Sequence, residues 1–155
     1  MVQFNDWCDG ADTPLGNHHL HIKTGRAVDR PTGVQLTATA VPGHYAAEER
    51  VARALRRLGK PGAADLVTGL LPQTRQIRSG DLGEIYATEW IDAHSGYRVP
   101  IKRLRWEEQR NMAMRGDDVI GMSLDQATQR LRFLKTEAKS RASRRAQTLR
   151  QARAA

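Results

Sequence analysis

In the second half of the sequence, the spacing of apolar residues is typical first of a helix, then of β-strands. A helix is predicted again at the end, and this order of elements constrains the fold most. Ser79 is a candidate N-cap, and apolar residues recur at helical spacing from there to about Ala93. Residues 97–106, 117–124 and 131–139 each read as a strand, and an arginine-rich helix is predicted after them. The order helix, strand, strand, strand, helix predicts an α/β domain with a small mixed sheet flanked by helices.

The first half of the sequence is less regular, because glycines interrupt residues 1–43 repeatedly. Short alternating pieces at 19–23 and 34–37 could be strands. We therefore interpret residues 1–43 as an arm or small accessory sheet. Residues 44–155 are interpreted as a helical lead-in followed by the main domain.

The lead-in has apolar residues at intervals of three and four, which is typical of a helix. This spacing predicts a helix over 45–58, stopped by Gly59, and a second short helix from Pro61 to about Leu71. In the helix after Ser79, we expect Leu82, Ile85 and Trp90 among the buried residues.

Composition and charge exclude several classes of protein. No apolar run approaches the roughly 18 residues of a membrane-spanning helix, and the acidic N-terminus has no apolar segment like that of a secretory signal. The single cysteine, Cys8, cannot form an internal disulfide, so a reducing cytoplasm is expected. The sequence also has no phosphate-binding loop of the form GxxxxGK[ST], so any use of ATP is expected from a partner.

The sequence contains 25 Lys and Arg against 17 Asp and Glu, a formal net charge of +8. Such an excess favours an anionic partner, most often nucleic acid, although a charged surface can also be merely solvated. The C-terminal arginines have no acids among them, which favours contact with phosphates. The candidate nucleic-acid contacts are Arg115, Arg141, Arg144 and Arg145, and a second basic cluster contains Arg98, Lys102, Arg103 and Arg105.

Three acids and a lysine lie at suggestive places in the predicted order of elements. Glu84 lies in the helix, Asp118 opens the second strand after Asp117, and Glu137 and Lys139 close the third strand. Residues two apart in a strand share a face, so Glu137 and Lys139 are expected on one side. If the second and third strands form a hairpin, Asp118 is expected close to them.

This set suits the hydrolysis of a phosphodiester. Mg²⁺, or Mn²⁺ in its place, neutralises the anionic substrate and helps to generate the nucleophile, and it binds one or two carboxylates plus phosphate oxygens. Asp118 and Glu137 are the expected ligands, and Glu84 could complete the site. Lys139 would orient the water and offset the charge that builds on the phosphate.

Each of these residues also has an ordinary structural explanation. E-x-K occurs often by chance, Asp117 and Asp118 are common turn residues, and Glu84 could be a surface glutamate. The alternative function is therefore a non-catalytic basic module that binds nucleic acid or a partner protein. An RNase of the same fold is a third possibility that the motifs leave open.

The same residues resemble a known superfamily. Glu84, Asp118 and Glu137-Ala138-Lys139 are similar to the PD-(D/E)xK restriction-endonuclease-like pattern. The surrounding segments 80–84, 115–121 and 135–140 resemble the HamA family, the nuclease subunits of the Hachiman antiphage system. The resemblance covers roughly residues 79–145, about half of the sequence.

The resemblance implies a metal-dependent deoxyribonuclease that is restrained by a helicase partner, HamB, and delivered to DNA with it. It implies Glu84, Asp118 and Glu137 as metal ligands and Lys139 as the catalytic lysine. It also implies a restriction-endonuclease-like core, which usually adds a strand after the second helix. The sequence has no such strand, so either the core is completed differently or this is a fragment or a short relative.

Overall fold

The computed structural model describes residues 2–107, 111–112, 116 and 118–141. The described part is mixed α/β and contains three α-helices and two antiparallel sheets of two strands each. It divides into two compact units, residues 1–41 and residues 42–155. Among the described helices, none has the combination of length and apolarity needed to cross a membrane.

The N-terminal unit is built on a hairpin. Strand β1, Cys8–Leu15, pairs antiparallel with β2, His18–Gly25, from Cys8 opposite Gly25 to Leu15 opposite His18. Gly16 has φ +61°, a left-handed conformation that glycine adopts without strain in the tight turn. The prediction of a strand at 19–23 is confirmed, because these residues lie within β2.

A helix, not a strand, follows this hairpin. Helix α1, Arg30–Tyr45, includes residues 34–37, so the strand predicted there is wrong. Alternation over four residues is too short to distinguish the helical period of about 3.6 residues from the strand period of two residues. The boundary between the two units falls within α1, before Pro42, which lacks the N–H that would continue the helical hydrogen bonds.

The C-terminal unit opens with a bent helix. Helix α2, Glu48–Leu70, contains Gly59 with φ +71° and ψ −176°, which breaks the helix into two parts. The predicted stop at Gly59 and restart near Pro61 are confirmed. The predicted start at Tyr45 is wrong, because that residue ends α1.

Helix α3, Arg75–His94, begins five residues earlier than predicted. Its N-cap is Thr74, whose side chain accepts a hydrogen bond from the Ile77 N–H at 3.3 Å. Ser79 lies inside the helix, so its prediction as the cap is wrong. Leu82 and Trp90 are only half-buried, whereas Ile85 is fully buried as expected.

The predicted strand at 97–106 is also wrong. Only Arg98 pairs, in an isolated antiparallel bridge to Met122. Pro100 has no N–H to continue the pairing, and the segment ends in a short 3-10 helix, Arg103–Trp106. The three-stranded mixed sheet that we expected is therefore not present as such in the described residues.

The other two predicted strands form a hairpin. Strand β3, Val119–Asp125, pairs antiparallel with β4, Arg130–Thr136, from Val119 opposite Thr136 to Asp125 opposite Arg130. A small core of Ile91, Val99 and Val119 joins α3 to this hairpin. The C-terminal helix predicted from Arg141 onward lies outside the described residues, apart from Arg141 itself.

Candidate active site

The buried face of α3 is unusually acidic. Asp81, Glu84 and Glu89 lie at helical spacing on this face and expose only 9%, 6% and 4% of their surface. A helix face that packs on a core is normally apolar, and a buried carboxylate is costly unless it is paired. The partners of these three acids therefore define the polar centre of the C-terminal unit.

Arg103 is the main partner of Glu84. Its Nη2 atom donates hydrogen bonds to Glu84 Oε2 at 2.7 Å and to Asp118 Oδ1 at 3.0 Å, and its Nη1 atom donates to the Gly116 carbonyl at 3.3 Å. The 3-10 helix positions this side chain, which is largely buried. One guanidinium thus joins the acid of α3 to the acid that precedes β3.

Asp118 also contacts the E-x-K segment. Its Oδ2 atom accepts a hydrogen bond from the Ala138 N–H at 2.7 Å. The hairpin register explains this contact, since Val119 lies opposite Thr136 and the residues just outside that pair are neighbours. Asp118 therefore lies between Arg103 on one side and the E-x-K segment on the other.

Glu137 and Lys139 lie just after β4 rather than inside it. The Lys139 ammonium donates to Glu137 Oε1, so the two side chains meet, although they do not share the strand face that we expected. The segment is held against α3 at Ser140, whose hydroxyl hydrogen-bonds the Ser79 hydroxyl at 2.8 Å. Gly83 permits this close approach, because a Cβ there would lie 3.1 Å from Ser140 Cβ.

Two further acids belong to the same cluster. The Tyr45 hydroxyl donates to Asp81 Oδ2 at 2.5 Å. Burial raises the pKa of Tyr45 most, and this hydrogen bond raises it further. Burial also raises the pKa of Asp81, against the opposing effects of Tyr45 and Arg103. Burial, with repulsion from Asp81 and Glu84, raises the pKa of Glu107 to about 7.

The carboxyl groups of this cluster repel one another. Burial raises the pKa of Glu84 even though Arg103 stabilises its charged form. Within the described residues, Glu84 and Asp118 both pair with Arg103, and Asp81 and Glu107 are close enough to Glu84 for mutual repulsion. Within the described residues, the buried Oε2 atom of Glu107 has no hydrogen-bond partner. Among the described residues, Arg103 therefore pairs with only two of the four acids of this cluster.

A second polar cluster lies beside the first. His44 Nε2 and Glu89 Oε1 are 2.8 Å apart and both side chains are buried, while Lys102 Nζ lies 3.7 Å from the same oxygen. Burial lowers the pKa of His44, although its hydrogen bond to Glu89 opposes the shift. Arg105 donates to the Gly43 carbonyl at 3.0 and 2.7 Å. These contacts fix the end of α1 against α3 and the 3-10 helix.

The donor set suits a hard divalent cation in its chemistry. Carboxylate oxygens are the ligands that Mg²⁺ and Mn²⁺ prefer, and the excess of acid would be relieved by a cation. As the described side chains stand, no three acids, histidines or cysteines surround one point closely enough to hold an ion. Arg103 instead supplies the positive charge between Glu84 and Asp118.

Two sets of contacts thus connect the predicted site residues. Glu84 and Asp118 share Arg103, and Asp118 contacts the backbone between Glu137 and Lys139. Arg141 is exposed, and its Nη1 atom donates to the Ser140 carbonyl at 3.0 Å. The remaining predictions at Asp117, Arg115, Arg144 and Arg145 lie outside the described residues.

Sequence reasoning missed four members of the site: Tyr45, Asp81, Arg103 and Glu107. The spacing of Asp81, three residues before Glu84, could have indicated that it shares a helix face. Arg103 was noted only as one member of a basic cluster. No local pattern marks Glu107 or Tyr45, whose contacts form only in the folded chain.

The fold and the site define a mixed α/β protein with a charged, largely buried centre beside an E-x-K segment. The sequence matches the HamA family over residues 1–155, so the chain belongs to this family. Membership indicates a component of the Hachiman antiphage system that works with a partner from that system. No curated protein matches the sequence significantly.

Proposed function

We propose that this chain is a metal-dependent deoxyribonuclease of the PD-(D/E)xK type and the nuclease subunit of a Hachiman system. The observation that carries the proposal is the hydrogen bond from the Ala138 N–H to Asp118 Oδ2. It joins the acid before β3 to the E-x-K segment, while Arg103 joins the same acid to Glu84. Membership in the HamA family supports the same assignment.

The proposed roles follow from the chemistry of the side chains. Asp118, Glu137 and Glu84 would hold Mg²⁺ or Mn²⁺, which supplies charge neutralisation of the phosphate and acidifies a bound water. Lys139 holds a positive charge beside Glu137, where it can bind a phosphate oxygen and orient the attacking water. Arg141, exposed next to this segment, is proposed to contact the DNA backbone.

The proposed fold is a restriction-endonuclease-like core whose visible parts are α3, β3 and β4. The Arg98–Met122 bridge adds a short third chain segment beside β3. The proposed partner is DNA, together with a HamB-like helicase that supplies ATP-driven movement, and the proposed location is the cytoplasm.

One observation favours the alternative, a non-catalytic basic module. The pairing of Arg103 with both Glu84 and Asp118 is what a purely structural ion pair would also look like. Under this alternative, Asp118 and Glu137 bind no cation and DNA or a partner protein is bound without being cut. DNA cleavage that requires a divalent metal ion therefore distinguishes the nuclease from the binding module.

The test is cleavage of plasmid DNA by the purified full-length chain in Mg²⁺ or Mn²⁺, alone and with its helicase partner. Glu137→Gln and Lys139→Met each remove one charge from the proposed site, and we expect each to lower the cleavage rate about a hundredfold or more. The matched controls are Glu49→Gln and Lys60→Met, because both residues are exposed on α2.

Equal cleavage by the wild type and both site variants would reject the site. No cleavage by the wild type, with or without the partner and with either metal, would reject the activity and favour the binding module.

A further inference from the structure

Arg103 occupies the place between the carboxylates that we assign to the metal. A single nitrogen, Nη2, lies 2.7 Å from Glu84 Oε2 and 3.0 Å from Asp118 Oδ1. Both acids are proposed metal ligands, so the guanidinium and a divalent cation would bind the same two carboxylates. Two cations this close would also repel each other strongly in a poorly solvated site.

The surroundings of Arg103 distinguish it from a balanced structural ion pair. A structural pair matches one cation with one anion, whereas this guanidinium pairs with two carboxylates, Glu84 and Asp118, and it also interacts electrostatically with Asp81 and Glu107. In the described part of the chain, the buried Oε2 atom of Glu107 still lacks a hydrogen-bond donor. A buried carboxylate oxygen without a donor is costly, and a monovalent guanidinium leaves it unsatisfied.

The neighbours of Arg103 are anchored elsewhere. Lys102 points to Glu89, and Arg105 donates twice to the Gly43 carbonyl. The backbone on both sides of Arg103 is therefore held independently of its side chain. The Arg103 side chain is 18% exposed, so part of it is in contact with solvent.

From these contacts we propose that Arg103 is an internal counter-ion that competes with the divalent cation for Glu84 and Asp118. Without metal, the guanidinium holds the two acids together and limits their repulsion. With metal, the guanidinium is displaced, so Arg103 sets the metal concentration at which the site fills. This inference rests on the proposed metal-dependent function and assigns Arg103 a positioning role.

The experiment measures Mn²⁺ binding to the full-length, metal-free chain by isothermal titration calorimetry. Arg103→Gln removes the competing charge but keeps an amide donor for the acids. We expect this variant to bind Mn²⁺ about tenfold more tightly than the wild type, which corresponds to about 1.4 kcal/mol. Its melting temperature should fall in EDTA, because the acids lose their cation, and recover when Mn²⁺ is added.

Arg103→Lys keeps the charge and is the second variant. A lysine cannot bridge two carboxylates with the planar fork of arginine, so we expect a smaller gain in Mn²⁺ affinity. Arg132→Gln is the matched control, because this arginine is exposed on β4, lies opposite Ser123 toward the turn of the hairpin and is near Asp125; the Mn²⁺ affinity of this variant should equal that of the wild type.

Tighter Mn²⁺ binding by Arg103→Gln, with no change in the control, would support competition. Affinity that is unchanged or weaker in both Arg103 variants, while the wild type binds Mn²⁺, would overturn it and leave the proposed nuclease standing. Absence of Mn²⁺ binding in the wild type and in every variant would instead refute the metal site, and with it the proposed function.

Discussion

At the scale of single residues, the sequence identifies acids better than it identifies their partners. Glu84, Asp118, Glu137 and Lys139 could be chosen because their types and order match a chemical task. Arg103 could not, because its role depends on where a proline-broken segment turns in three dimensions. A long charged side chain has no periodic signal of its own, and Arg103 contacts Glu84 and Asp118 across 19 and 15 residues of sequence.

The His44–Glu89 pair makes a prediction about pH. Burial lowers the pKa of His44 below 6.5, so below pH 6.5 the unfolded chain binds a proton that the folded chain does not. The resulting stability is fully present above pH 6.5 and is lost as the pH falls toward the lowered pKa. Glu89 and Lys102 face this histidine, together with the nearby Arg105, and Glu89 limits the shift.

His44→Gln removes the titrating group, so its stability should depend less on pH below 6.5 than that of the wild type. The difference in slope is at most about 1.4 kcal/mol per pH unit. Thermal unfolding of both proteins in EDTA, at several values between pH 5 and pH 7.5, measures it. The other four histidines are present in both proteins, so their contributions to the pH dependence of stability cancel in the comparison. Parallel curves would show that folding does not lower the pKa of His44.

At the scale of elements, the hairpin of β3 and β4 was predictable because short alternating runs flank a turn. Asp125 stabilises that turn by accepting from the backbone N–H groups of Ala127 and Thr128. The start of α3 was misjudged because Ser79, a good N-cap by type, uses its hydroxyl to contact Ser140 instead. The N-cap preferences of residue types indicate which residues can cap a helix, and tertiary contacts determine which of these residues caps it.

Two glycines of α3 test how the E-x-K segment is held. Gly80 has open space around the position of a Cβ, whereas a Cβ at Gly83 would lie 3.1 Å from Ser140 Cβ. Alanine in a helix is more favourable than glycine by about 0.5–1 kcal/mol, so Gly80→Ala should stabilise the chain by about that amount. Gly83→Ala gains the same helical preference but crowds Ser140.

We expect Gly83→Ala to be less stable than Gly80→Ala by about 1 kcal/mol or more, as measured by urea unfolding of the two variants. Comparing two alanines in one helix cancels the effect of helix propensity. Equal stabilisation by both substitutions would show that Ser140 does not pack closely on α3.

At the scale of the whole molecule, a chain with a positive net charge contains a cluster of acids. The net charge of +8 favours DNA, yet the cluster around Glu84 and Asp118 would repel a phosphate. Composition predicted the first property, but the second arises only when folding brings the acids of α3 to the 3-10 helix and the hairpin. A divalent cation would reconcile the two, since it satisfies the acids and attracts the phosphate.

The most direct test of this account is a crystal structure of the full-length chain with Mn²⁺, in which anomalous scattering locates the ion. We predict one strong peak bonded to carboxylate oxygens of Asp118 and Glu137, at about 2.0–2.3 Å. The contrary result is a site without Mn²⁺ at saturating concentration, with Arg103 still bridging Glu84 and Asp118.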